Sequence, residues 1–88
     1  MRKYAVLFKS SADKALKRLS VKVQVRIARA VEALADDPRP VGCVKLASED
    51  NLWRIRVGSY RVIYTIDDDK ITILVLRIAH RRDVYRGL

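Results

Sequence analysis

Hydrophobic residues recur along this chain with two periods, and the change from one to the other falls at the proline-containing stretch 36–40. Before it, Tyr4-Ala5-Val6-Leu7-Phe8 is a short apolar run that predicts a first strand. Ser10 then stands as a helix N-cap, with Asp13 three residues on in a capping-box position. Ala12, Ala15, Leu16 and Leu19 follow at the spacing of one helical face. Ser20 is positioned to cap a second helix, in which Val23, Ile27, Ala30, Val31 and Leu34 form an apolar stripe and Lys22, Arg26 and Arg29 lie on the other side. Asp36-Asp37-Pro38-Arg39-Pro40 ends it, because proline cannot continue a helix and disfavours one in the residue before it. Beyond that point the period is 2. Val44-Lys45-Leu46 is a short candidate strand, Leu52 to Val57 alternates, Gly58-Ser59 reads as a two-residue turn, and Tyr60 to Ile66 alternates again. Asp67-Asp68-Asp69-Lys70 turns the chain once more, and Ile71 to Ile78 is β-branched and aliphatic like a central strand. The expected class is α+β: an N-terminal helical hairpin packed on a mostly antiparallel β-sheet, residues 1–88 forming one domain with no linker or repeat.

Composition narrows the setting. A chain of 88 residues that is 50% hydrophobic has room for one modest core. Its one cysteine, Cys43, excludes an intrachain disulfide. Met1-Arg2-Lys3 and the short apolar stretch before Lys9 do not read as a signal peptide, and the aliphatic run Ile73 to Leu76 is far short of a membrane span. A soluble, cytoplasmic protein without a membrane partner is expected. The net charge of +9, with an isoelectric point near 10.2, favours polyanions: nucleic acid, an anionic membrane or an acidic protein. The kind of base also changes. Residues 1–50 hold six lysines and five arginines, whereas residues 51–88 hold seven arginines and only Lys70. Arginine offers a planar fork suited to phosphate, which makes the second half the phosphate-handling half.

The hairpin turn fixes a register. If Gly58-Ser59 closes a two-residue loop, Val57 faces Tyr60, Arg56 faces Arg61, Ile55 faces Val62, Arg54 faces Ile63 and Trp53 faces Tyr64. Trp53, Ile55, Val57, Tyr60, Val62 and Tyr64 then form one apolar face for the helices, and Arg54, Arg56 and Arg61 gather on the other. Like charges directly opposed across strands are unfavourable, so this patch calls for an external anion, phosphate being the obvious one, or for balancing acids from the Asp67-Asp68-Asp69 turn or an acidic partner. If Asp68-Asp69 is also a two-residue turn, Arg61 faces Leu76, and Leu74, Leu76, Ile78 and His80 line the arginine face. His80, the single histidine, would then project beside the patch as a candidate proton carrier. Arg77 falls on the apolar face in that register, a sign of a bulge. Trp53 is assigned to the core. Neither the Asp67–Asp69 run nor Cys43 has the company a metal site or a nucleophile needs, and the chain has no P-loop, paired-cysteine or glycine-rich nucleotide motif. No metal and no cofactor is expected.

The stretch Leu52-Trp53-Arg54-Ile55-Arg56-Val57-Gly58-Ser59-Tyr60-Arg61-Val62-Ile63-Tyr64, followed by Arg77-Ile78-Ala79-His80-Arg81-Arg82-Asp83-Val84-Tyr85, resembles the RelE branch of the RelE/ParE toxin family. Lys45-Leu46 and the helical hairpin fit the same pattern, so the resemblance covers nearly the whole chain. It implies the toxin of a type II toxin–antitoxin system, with a cognate antitoxin in a hetero-oligomer, and metal-free cleavage of mRNA on the ribosome through attack of the 2′-hydroxyl on the adjacent phosphate. By the same resemblance Arg61 stabilises the transition state, Arg81 stands near the leaving group and Tyr85 near the 2′-hydroxyl, with Arg54, Arg56, Lys45 and Arg82 as RNA-binding residues. Arg54 and Arg56 occupy positions where RelE-like toxins often carry lysine. Arginine holds charge as well but is a poor proton donor or acceptor, which shifts proton transfer toward His80 or Tyr85. Two other functions stay open at this point: a ParE-like inhibitor of DNA gyrase, and a basic nucleic-acid-binding module with no enzymatic activity.

Overall fold

The computed structural model describes residues 3–46 and 51–86; Met1 and Arg2 at the start, and Gly87 and Leu88 at the end of the basic tail, lie outside the described residues. The elements are β1 (Ala5–Phe8), α1 (Ser10–Lys17), α2 (Val21–Leu34), β2 (Val44–Lys45), β3 (Trp53–Val57), β4 (Tyr60–Asp67) and β5 (Thr72–His80). The expected α+β class holds: two helices on a five-stranded sheet of order β1-β5-β4-β3-β2, antiparallel except for the β1–β5 pairing.

The helix starts differ in how they are capped. Ser20 caps α2 as its sequence position suggests, its hydroxyl accepting from the Val23 amide at 3.4 Å. Ser10 does not cap α1. It is the first helical residue, and Lys9 precedes the helix in extended backbone with no side-chain bond. The bend between the helices is tied by the Gln24 side chain, whose Nε2 donates to the Leu19 carbonyl at 2.7 Å. Ile27, Val31 and Leu34 of the α2 stripe are fully buried, as is Ala12 of α1. They meet Ile55, Val62, Tyr64 and Ile66 of the β3–β4 hairpin and Ile73, Val75 and Ile78 of β5 in one core cluster. Tyr64 is enclosed, and its hydroxyl donates to the Pro38 carbonyl at 2.7 Å, which fastens the chain leaving α2 to the sheet. Trp53, expected in the core, is half-buried at its margin, with Arg39 over its ring at 4.9 Å and Lys45 at 5.8 Å.

The β3–β4 register is the expected one, from Val57 opposite Tyr60 to Trp53 opposite Tyr64. Gly58 makes the turn possible. Its φ is +59°, and a Cβ there would sit 3.2 Å from the Arg26 guanidinium. The β4–β5 turn departs from expectation. It takes residues 68–71 rather than two, with Asp67 opposite Thr72 and Ile71 at a left-handed φ of 51°. A bulge follows. Tyr64 faces Val75 but Ile63 faces Arg77, so Leu76 is an extra residue in β5. Arg61 therefore faces Ala79 and not Leu76, and Leu74 alone of the four expected residues keeps its place on the arginine side by pairing. Ile78 (opposite Val62) and His80 (opposite Tyr60) are turned to the helix side.

The three aspartates after β4 serve the fold. Asp67 accepts from the Lys70 amide at 3.0 Å inside the turn. Asp68 accepts from the Tyr4 hydroxyl at 2.7 Å and from Arg39 at 3.0 Å, joining the N-terminal segment and the loop after α2 to the far end of the sheet. The Tyr4 hydrogen bond first, and Arg39 second, hold the Asp68 carboxyl below the usual aspartate range. A depressed folded value contributes stability that is complete above the ordinary value of about 3.9 and is lost as pH falls through the lower folded value. Asp68→Asn should therefore flatten the acid limb of stability against pH, read from urea midpoints between about pH 6 and pH 3; superimposable limbs in the two proteins would rule this out. Tyr64→Phe, which deletes the bond to Pro38, should cost about 1 kcal/mol in the same assay, with no change in the denaturant slope.

Candidate active site

The face of the sheet turned away from the helices carries the candidate site. Arg54 and Arg56 reach it from β3 and Arg61 from β4, with Arg56 and Arg61 directly opposed. The bulge adds Arg77 (opposite Ile63) and Ala79 (opposite Arg61) to this side. Residues 81–86 then turn back over it. The Arg81 amide donates to the Ser59 carbonyl at 2.8 Å, and the Asp83 and Val84 amides to the His80 carbonyl at 2.8 and 3.1 Å. One guanidinium nitrogen of Arg77 donates to the Val84 carbonyl at 3.2 Å and also to the Arg86 carbonyl. Ile63 and Val84 are both 0% exposed although neither belongs to the helix-side cluster, which marks a small second core on this face. Tyr85, 46% exposed, is brought to the arginines, and its hydroxyl accepts from Arg54 at 3.2 Å.

Electrostatics set the character of this face. Arg61 donates to the carbonyls of Gly58 and Tyr60, each at 3.0 Å, so its guanidinium is held against its own hairpin turn. Desolvation first, then the charges of Arg56 and Arg54, lower its proton affinity, with Arg81 adding to the effect and Tyr85 opposing it. Arginine remains charged all the same. The Nε of Arg54 is buried with no hydrogen-bond partner among the described residues. The ion pairs recorded there are Lys17–Asp13, Arg39–Asp68 and Arg86–Asp83, and none includes Arg54, Arg56, Arg61 or Arg81. Asp68 is engaged by Arg39 and Tyr4, and Asp67 stands six residues along β4 from Arg61, roughly 20 Å at strand spacing. Among the described residues the patch thus has no internal counterion, and its donors suit an anion with several oxygens, as phosphate has.

The structure brings Arg54, Arg56, Arg61, Arg81 and Tyr85 into one electrostatic group. Two of the residues singled out from the sequence stand elsewhere. His80 is on the helix side, its ring edge-on to Tyr60 at 5.7 Å and its Nδ1 accepting from the Arg82 amide at 3.3 Å. Lys45 is opposite Trp53 and shares that residue's side of the sheet. Arg82 is exposed in the tail turn. Arg77 was not among the expected site residues; the signal for it was a charge in an otherwise apolar register. No group of three His, Cys, Asp or Glu side chains suited to a metal ion occurs among the described residues, and no helix there is long and apolar enough to cross a membrane.

Residues 6–85 match the family model described as the ParE toxin of the type II toxin-antitoxin system, parDE. The chain is 32% identical over 84 residues to Toxin RelG of Mycobacterium tuberculosis, covering 94% of this chain and 97% of that one. Among solved structures it is similar to the archaeal RelE-RelB complex from Pyrococcus horikoshii, with a TM-score of 0.81 and 28% identity over 93% of this chain and 99% of the other. It is also similar to the toxin-antitoxin complex RelBE2 from M. tuberculosis, with a TM-score of 0.78 and 27% identity over 90% and 99% of the two chains.

A patch of unbalanced like charges ties binding to stability with opposite signs. Arg56→Gln should raise the thermal midpoint slightly by relieving the opposition to Arg61, while weakening binding to a phosphate polyanion such as a homopolymer RNA and reducing the slope of log affinity against log salt by about 1. A variant that loses stability and keeps the full salt slope would show that Arg56 meets an internal partner and not phosphate.

Proposed function

Because this chain belongs to the RelE/ParE superfamily of toxins from type II toxin–antitoxin systems and is a RelE-like toxin, we propose that it is a metal-independent endoribonuclease that cuts mRNA on the ribosome and is held inactive by a cognate antitoxin. The observation that carries this reading is the hydrogen bond from Arg54 to Tyr85, which joins the two halves of the motif across the face that also holds Arg56, Arg61 and Arg81. Cleavage of this kind has three requirements: removal of the proton from the 2′-hydroxyl, stabilisation of added charge on the phosphate, and protonation of the departing oxygen. The 2′-oxygen forms a bond to phosphorus as the bond from phosphorus to the 5′-oxygen breaks, leaving a 2′,3′-cyclic phosphate and a 5′-hydroxyl.

The side chains divide this work by their chemistry. Guanidinium groups supply the positive charge that a metal ion supplies in other nucleases, and the hairpin turn holds Arg61 in place for the charge of the transition state. Arg54 and Arg56 grip the phosphate, and Arg81, anchored through its amide to Ser59, stands at the leaving-group side. Arginines do not exchange protons near neutral pH, so Tyr85, oriented by Arg54, is the proton-handling group beside the 2′-hydroxyl, and the departing 5′-oxygen takes its proton from solvent water. His80, across the sheet, supports the tail through the Arg82 amide instead of meeting substrate. Both solved relatives described above are complexes with an antitoxin, and an acidic or amphipathic antitoxin segment would offset the +9 charge. A toxin that acts on ribosomes would work in the cytoplasm.

A second reading rests on the matching family model, which is that of a ParE toxin: inhibition of DNA gyrase on the same fold. Mapping of transcript 5′ ends minutes after induction separates the two. New ends within translated regions are expected, reduced on the order of 10²- to 10³-fold by Arg61→Ala, the scale for loss of one oxyanion-stabilising donor. Undiminished cutting by that variant would remove Arg61 from the mechanism. No new ends, together with gyrase-linked DNA damage, would favour the ParE-like reading.

A further inference from the structure

Arg77 has a place in this fold that neither its sequence position nor the cleavage chemistry accounts for. The bulge at Leu76 turns it from the helix side to the arginine side, opposite Ile63. There it is half-buried and directs one guanidinium nitrogen at two main-chain carbonyls, those of Val84 and Arg86, the residues on either side of Tyr85. Charge-assisted bonds to carbonyls are about twice as strong as neutral ones. The turn past residue 82 has otherwise little to fix it. The Asp83 and Val84 amides bond back to His80, the Arg86 amide bonds to Asp83, and the exposed Arg86–Asp83 ion pair spans 3.6 Å within the same turn. Among the described residues, Arg77 and the Arg54–Tyr85 bond are the recorded side-chain hydrogen bonds from the sheet to residues 83–86, and Val84 adds its buried contact.

We infer that Arg77 is a positioning residue for the proposed cleavage: it clamps the backbone on both sides of Tyr85 and so sets the phenol against Arg54. This rests on the RNase reading and deepens it. Arg77 acts through the tail and has no contact with RNA. Loss of the clamp should therefore lower the rate of the chemical step without weakening RNA binding, because Arg54, Arg56, Arg61 and Arg81 are untouched. Displacement of a reacting group by about 1 Å costs on the order of 100-fold in rate.

The test is single-turnover cleavage of mRNA in programmed ribosomes, with toxin varied to give a limiting rate and a half-saturating concentration, for the wild type, Arg77→Met, Arg77→Lys and Arg61→Ala. Arg77→Met keeps an apolar stem and loses both carbonyl bonds; Arg77→Lys keeps the charge on a shorter side chain that does not bring its nitrogen to both carbonyls. We expect the limiting rate of Arg77→Met to fall roughly 10- to 100-fold with half-saturation unchanged, and Arg77→Lys to lie between it and the wild type. Hydrogen exchange should show faster exchange at the Val84 and Arg86 amides with the β4 and β5 amides unaffected. Near-wild-type cleavage by Arg77→Met beside an inactive Arg61→Ala would overturn the positioning role while leaving the RNase reading intact. A raised half-saturation with an unchanged limiting rate would overturn it in favour of direct RNA contact. If Arg77→Met does not fold, Arg77→Lys decides alone, and a wild-type limiting rate in it overturns the clamp. Absence of cleavage by the wild type would overturn both readings together.

Discussion

Side chains on a strand alternate between its two faces without exception unless a residue is inserted, and this structure turns on one insertion. Leu76 is the extra residue in β5. On the turn side of it, Ile73 and Val75 face the helices; on the other side, Ile78 does. A regular strand would have sent Arg77 into the core and Ile78 out of it. The bulge reverses both, so one strand supplies the core along its whole length and still delivers a cation to the opposite face. The same step turns His80 toward Tyr60, where its Nδ1 receives the Arg82 amide, and starts the tail over the arginine side. The position of Tyr85 thus follows from a single skipped pairing.

The two faces of the sheet solve different problems. The helix side buries Ile27, Val31 and Leu34 against the strands and carries most of the apolar burial. The other side has a small core of its own, Ile63 and Val84, beside opposed arginines that have no carboxylate partner among the described residues. The aspartates that would balance those arginines are held at the far end of β4, where Asp68 ties Tyr4 and Arg39 to the turn. Stability is therefore concentrated on the helix side and at the turn, and the arginine side keeps its charge unbalanced among the described residues.

The RelE/ParE family contains toxins that share a fold and differ in what they poison, so the fold cannot distinguish them. Here the matching family model bears the ParE name, while the relative at 32% identity and the solved complexes bear Rel names. The distinction rests on side chains. Arginines with one tyrosine among them, on one face of the sheet, are suited to an extended phosphate backbone and to charge stabilisation.

The sequence by itself determined the α2 stripe and its Ser20 cap, the Gly58-Ser59 turn and, through that turn, the full β3–β4 register. These are local: each depends on a period or a turn residue within a few positions. It thereby placed Arg54, Arg56 and Arg61 on one face. The register of β5 was beyond its reach, because a four-residue turn and a bulge each shift pairing by an amount that no nearby residue encodes. The misplacement of Ile78 and His80 followed from that, and Arg77 in an apolar register was its one visible symptom. The side of the sheet that Lys45 takes was not legible either, because it depends on how the short β2 pairs with β3 across an intervening segment. Only the tertiary structure decided that Tyr85 meets Arg54, since their contact joins residues 31 apart through a tail held by bonds to main-chain carbonyls, which any sequence can supply.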